Sequence, residues 1–99
     1  MWSCPVDREI LASFCRRNAI RRLALFGSAL RDDFGPESDI DLLVEFEPGR
    51  PVGFFKLAEL EGELEEMFGR RVDLRTLPEL SRYFRDEVSR SAVDQYRAA

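Results

Sequence analysis

Ile40, Leu42, Val44 and Phe46 fall on one side of a two-residue period, and Asp39, Asp41, Leu43 and Glu45 fall on the other. A strand is the element whose side chains alternate in this way. Residues 39–46 must therefore lay one face on a core and turn two carboxylates, at i and i+2, toward the opposite side. No other segment constrains the fold as strongly. The chain needs a sheet, helices to cover it, and an acidic face left at least partly open.

The flanking segments supply those parts. Residues 21–26 (RRLALF) end in a continuous apolar run, expected of a strand buried on both faces. Gly27-Ser28 then opens a brief helical turn through Arg31, and residues 33–38 (DFGPES) read as loop. Before this unit, Ser3 and Pro5 mark a helix start. Ile10, Leu11, Phe14 and Cys15 form its apolar stripe, and Asn18 ends it. After a turn at residues 48–51, Leu57, Leu60, Leu64, Met67 and Phe68 repeat at helical spacing. Glu59, Glu63 and Glu66 take the solvated positions, and Gly69 is the C-cap. Val72 and Leu74 face the core from a third strand, with Asp73 opposite. A last helix from Pro78 carries Leu80, Phe84, Val88, Ala92 and Tyr96. The order α-β-α-β-α-β-α predicts an α/β (α+β) domain, a small mixed β-sheet flanked by helices. With 99 residues, the chain has room for one such domain, 1–99, and no second one.

Composition removes whole classes of chemistry. There is no histidine, which excludes Ser-His-Asp and Cys-His nucleophiles, histidine bases and His-containing zinc sites. A formal charge of −4 argues against bulk nucleic-acid binding, so any polyanion must be gripped locally, through metal ions or a few arginines. Lys56 is the only lysine. Cys4 and Cys15 read as reduced thiols of a cytoplasmic protein, Cys15 as a core residue. No apolar run reaches membrane-spanning length.

The chemistry concentrates between Gly27 and Asp41, with a third carboxylate at Asp73. Two aspartates at i and i+2 repel each other unless a cation lies between them. All-oxygen ligation points to Mg²⁺, with Mn²⁺ as the alternative. Asp39 and Asp41 are assigned to a metal chelating nucleotide phosphates. Asp41 and Asp73 are assigned to a second ion that activates an attacking hydroxyl, with Asp73 also a candidate acceptor of its proton. Gly27 lets backbone approach phosphate without a β-carbon. Backbone N–H groups of the following turn, with the Ser28 hydroxyl, suit phosphate oxygens. Arg31 lies one turn on, and Ser38 completes the expected nucleotide-binding set. Asp32, Asp33 and Glu37 add negative charge to the same loop. For Asp73 the plainer alternative is an ion pair with Arg71 or Arg75 on its own strand.

At these residues the chain resembles the minimal nucleotidyltransferases of the DNA polymerase β superfamily. Their hallmark is Gly-Ser, about ten residues, Asp-x-Asp, then a later carboxylate on a neighbouring strand. Here it reads Gly27-Ser28, Asp39-x-Asp41 and Asp73, within ALFGSALRDDFGPESDIDLLVEF and RRVDLRT, and Arg31 matches the Gly-Ser-x-x-Arg form. The resemblance implies a polymerase-β-type nucleotidyltransferase fold and transfer of AMP from ATP with release of pyrophosphate. It further implies an MntA-type antitoxin acting on a cognate HEPN toxin, AMP going to a toxin tyrosine in a type VII-like toxin–antitoxin pair.

A chain without an acceptor-binding domain must take its acceptor from another molecule, so a hetero-oligomer with the toxin is expected. The last helix, with Tyr83, Phe84, Val88 and Tyr96, is a candidate interface, though packing on the sheet is the plainer role for most of these residues. Two other readings stay open. One is a non-catalytic antitoxin that neutralises its toxin by contact. The other is a small-molecule nucleotidyltransferase of the aminoglycoside-modifying kind, against which the missing acceptor domain counts.

Overall fold

A computed structural model describes residues 6–27, 39–49, 52–76, 78 and 82–98, with backbone alone at 82–84 and 89. Its elements run α1 (Arg8–Arg17), β1 (Ile20–Phe26), β2 (Ile40–Phe46), α2 (Phe54–Phe68), β3 (Val72–Thr76), α3 (Arg82–Ser91) and β4 (Val93–Arg97).

Helix α1 starts at Asp7, whose carboxylate accepts the Glu9 N–H at 2.8 Å and satisfies one of the orphan donors of the first turn. Ser3, Pro5 and Cys4 lie outside the described residues. Asn18 ends the helix as expected, its Nδ2 donating to the Phe14 carbonyl at 2.8 Å. Leu11, Phe14 and Cys15 are buried, but Ile10 is 58% exposed. It lines the seam between α1 and α2 with Met67 and Glu66 instead of reaching the sheet. Ala19, at φ 55°, reverses the chain into β1.

The sheet has the order β3-β2-β1-β4. β1 pairs antiparallel with β2 and β4, and β2 pairs parallel with β3, so the sheet is mixed as expected. The parallel pair needs a long crossover, which α2 supplies. Leu23, Leu25, Ile40, Leu42, Val44, Val72 and Leu74 meet Leu11, Phe14, Cys15, Leu60, Leu64 and Phe68 in a single core. Gly69, at φ 70°, closes α2 in the left-handed conformation.

One feature differs from the expectation and a second lies outside it. The first is the C-terminal segment: the helix stops at Ser91, and residues 93–97 become a fourth strand along β1. Ala92 and Tyr96 thus leave the helix; Leu80 is outside the described residues. The helical spacing of these apolar residues was real, but an unpaired edge of β1 offers backbone partners that a surface helix cannot use. A bulge in the β1–β4 pairing then sets Tyr96 opposite Leu23, on the core side, and Asp94 opposite Ala24.

The second is the outer edge of β3. The Val72 and Leu74 N–H groups donate to carboxylates of α2, Glu65 at 3.1 Å and Glu61 at 2.8 Å. An edge strand leaves such donors unpaired, and here two glutamates one helical turn apart take them. Among the described residues no helix is long and apolar enough to cross a membrane.

Candidate functional site

The alternation of β2 survives in three dimensions. Ile40, Leu42 and Val44 are fully buried in the core, whereas Asp41 and Glu45 lie on the opposite face, half-buried. Leu43 is buried on that second face. Asp39 precedes the strand and is exposed.

β1 delivers Gly27 to the same place. Phe26 is the register partner of Asp41, and Gly27 follows at φ +70°. A β-carbon on Gly27 would overlap Asp41 Oδ2 and lie 3.1 Å from its Cγ. The position thus excludes a side chain for two reasons, the left-handed backbone and the carboxylate packed against it. Ser28, Arg31 and Ser38, with Asp32, Asp33 and Glu37, lie outside the described residues.

Asp73 arrives through the parallel pairing. Ile40 N–H donates to the Arg71 carbonyl at 2.9 Å, and the register runs Ile40 to Val72, Asp41 to Asp73 and Leu42 to Leu74. Asp41 and Asp73 are therefore adjacent on one face, across strands about 4.8 Å apart. The Asp73 carboxylate is held by Arg75, two residues along the same strand face. Arg75 Nε lies 3.0 Å from Oδ1, and its Nη2 donates to Oδ2 at 3.2 Å. The ion pair weighed for Asp73 is present, with Arg75.

Among the described residues no three carboxylate or thiol side chains are gathered as a ready metal-binding group. The donor chemistry nonetheless suits a hard divalent cation: Asp41 and Asp73 side by side, Asp39 two positions away, and only oxygen ligands. The Asp41 carboxylate itself occupies the space that a β-carbon on Gly27 would take, so the glycine is what lets it lie there. The residues fit such an ion, with Asp73 available to it once the Arg75 guanidinium lets go.

Toward β4 the same face carries a charge network that the sequence did not single out. Arg22, only 8% exposed at its side chain, donates from Nη1 to Glu45 at 2.9 Å and from Nε to Asp94 at 2.6 Å. Arg21 adds a second contact to Glu45 at 2.9 Å, and Arg97 one to Asp94 at 2.7 Å. An irregularity between Ile20 and Arg22 sets Ile20 against the core and both arginines within reach of one glutamate. Burial disfavours the charged forms of Glu45 and Asp94, but the hydrogen bonds and charges of their arginines outweigh it and hold both carboxyls below the usual range. Burial likewise opposes the Arg22 charge, and its two carboxylates more than restore it. The adjacent Arg21-Arg22 with Glu45 on an alternating strand was the available signal. Only the bulge shows that they meet.

Comparison with known proteins converges on one family. The nucleotidyltransferase domain model matches residues 7–98. A protein of Methanocaldococcus jannaschii, assigned by inference to the protein adenylyltransferases, is 36% identical over 90% of this chain and 92% of its own length. A solved structure assigned as a minimal nucleotidyltransferase superposes with TM-score 0.71 at 38% identity, covering 87% of this chain and 86% of that one. A chain from the complex of a tri-AMPylated Shewanella oneidensis HEPN toxin with an MNT antitoxin superposes with TM-score 0.65. It is 22% identical, over 92% of this chain and 70% of its own, and shows the shared fold alone.

Proposed function

The chain belongs to the nucleotidyltransferase domain family, and we propose that it transfers AMP from ATP to a hydroxyl of a partner protein. The acceptor we favour is a tyrosine of a cognate HEPN-type toxin, which AMP would silence in the cytoplasm, with this chain as antitoxin in a hetero-oligomer. The observation that carries the reading is the triple approach of Gly27, Asp41 and Asp73 on the sheet face opposite the core. Two likenesses support the choice of acceptor. The Methanocaldococcus relative bears the name of a protein adenylyltransferase, and in the Shewanella complex the same fold accompanies an AMP-modified HEPN toxin.

Asp39 and Asp41 would hold Mg²⁺, or Mn²⁺, against the nucleotide phosphates, and Asp41 and Asp73 would help hold a second ion. When bound, such ions would supply charge neutralisation and a lowered pKa for the attacking hydroxyl. Gly27 keeps side-chain atoms away from the phosphates, while Ser28, Arg31 and Ser38 contact the nucleotide. The acceptor oxygen attacks the α-phosphorus, and the bond to the β-phosphate oxygen breaks. Pyrophosphate leaves with its electron pair, and the hydroxyl proton passes to Asp73 and then to water. No role falls to a histidine, as a chain without one requires.

The test incubates the chain with ATP, Mg²⁺ and the product of the adjacent reading frame, followed by intact-mass spectrometry. The partner should gain AMP residues, and Asp39→Asn or Asp41→Asn should abolish the gain while circular dichroism stays native. An Asp41→Asn chain that modified its partner at the native rate would sink the assignment. Neutralisation of the toxin without any mass gain would support inhibition by contact instead.

A further inference from the structure

A divalent cation approaching Asp73 meets an arginine already in place. Arg75 grips both carboxylate oxygens of Asp73, Nε to Oδ1 at 3.0 Å and Nη2 toward Oδ2 at 3.2 Å. The fork of a guanidinium on a carboxylate is directional as well as charged, so it fixes where the carboxylate points. Both partners remain accessible, with side chains 47% and 41% exposed. Such a pair exchanges readily, because water screens it and it contributes little net energy. The neighbouring Asp41 lies on the next strand in direct register.

We propose that Arg75 is a resident counter-cation of this site. In the metal-free chain it neutralises Asp73 and turns that carboxylate onto itself, easing its repulsion with Asp41. When a divalent ion binds between Asp41 and Asp73, Arg75 gives the carboxylate up. Loading of the Asp73 position is then an exchange of guanidinium for metal, and Arg75 sets how readily the ion enters. This makes Arg75 a positioning residue acting through Asp73. The inference rests on the reading of Asp73 as a metal-facing carboxylate.

The test is Mn²⁺ binding to the nucleotide-free chain, followed by the electron paramagnetic resonance signal of free Mn²⁺. Four proteins are compared: native, Arg75→Gln, Asp73→Asn and the double variant, with Arg75→Lys as a charge-conserving fifth. Arg75→Gln should bind Mn²⁺ about fivefold more tightly, the scale of one partly exposed ion pair. Arg75→Lys should fall between it and the native chain, since a lysine keeps the charge without the fork. Asp73→Asn should weaken binding, and adding Arg75→Gln to it should change nothing further.

If Asp73→Asn weakens binding but Arg75→Gln does not strengthen it, the exchange is wrong while the metal reading of Asp73 stands. If Arg75→Gln tightens binding equally in the Asp73→Asn background, the arginine acts through its field, and the proposal fails. An Asp73→Asn chain with native affinity overturns the reading of Asp73 and the proposal with it.

Discussion

Gly27 stands directly against the Asp41 carboxylate, so that a β-carbon there would overlap Oδ2. A turn glycine and a strand aspartate, separated in sequence by the whole connecting loop, thus share one volume. Gly27→Ala forces a left-handed φ on alanine, worth about 1 kcal/mol, and pushes the carboxylate aside. The expected outcome is a fall in AMP transfer of at least about tenfold, since small misplacements at a reacting centre are costly. The melting temperature should drop by only a few degrees. Native transfer by Gly27→Ala would show that Asp41 does not need its present position.

The Arg22 network predicts an acid-sensitive component of stability. Glu45 and Asp94 have folded pKa values below their unfolded ones, which lie near about 4. Between the two values the unfolded state binds more protons, so stability falls as pH falls. The contribution is fully present above the unfolded values and is lost as pH drops through the folded ones. Urea midpoints from pH 7 to pH 2.5 should decline below about pH 4. A Glu45→Gln, Asp94→Asn chain should decline less steeply there, and identical slopes would contradict the assignment.

Removing the arginine is more damaging than removing a carboxylate. Arg22→Leu leaves Glu45 and Asp94 facing each other on a largely covered face, although Arg21 and Arg97 still reach them. The expected loss is about 2–4 kcal/mol in denaturant unfolding at pH 7. It should shrink on acidification, as the stranded carboxylates take up protons. A loss under about 0.5 kcal/mol would mean that the surrounding arginines suffice.

Glu61 and Glu65 act as side-chain partners for the backbone of β3. Glu61→Ala should cost about 1–2 kcal/mol, the price of leaving a backbone donor without its partner. Glu61→Gln, which keeps an acceptor oxygen, should cost less. Hydrogen exchange at the Leu74 amide should accelerate in the alanine variant and change little in the glutamine one. Equal exchange in both would show that the donor is shielded by something other than Glu61.

Cys15 is fully buried, and its thiol is pushed up to about 12 by desolvation, against a smaller opposing pull from Arg16. The thiolate, which is the reactive form, is then scarce at neutral pH. In a Cys4→Ser chain, a thiol reagent at pH 8 should label nothing until denaturant is added. Prompt labelling of the folded chain would place Cys15 in a more open setting.

The legible parts of the fold were those with short-range periodicity. The alternation of β2, the continuous apolar run of β1 and the helical stripe of α2 each appear where the spacing put them. The face assigned to Asp41 and Asp73 is the face they occupy. Two elements at the chain's beginning and end depart from what their spacing suggests, for a common reason. Ile10 carries the right spacing but faces the groove it lines with Glu66 and Met67 and stays exposed. Residues 93–97 share helical spacing with the residues before them, yet backbone pairing with β1 outweighs that local preference. Neither outcome is written in a window of a few residues.

The sequence by itself determined the strand alternation, the absence of any histidine chemistry, and the Gly-Ser, Asp-x-Asp and later Asp pattern, because these depend on residue type and local spacing. Tertiary structure alone decided the rest. Strand register made Asp73 the neighbour of Asp41, a bulge brought two arginines to Glu45, and a fourth strand supplied Asp94. The fork of Arg75 on Asp73, one of two ion pairs the sequence allowed, is settled by where β3 begins: Arg71 precedes the strand and Arg75 lies within it. Register and bulges are properties of strand pairs, so the ligand environment of each carboxylate exists only once the sheet has formed.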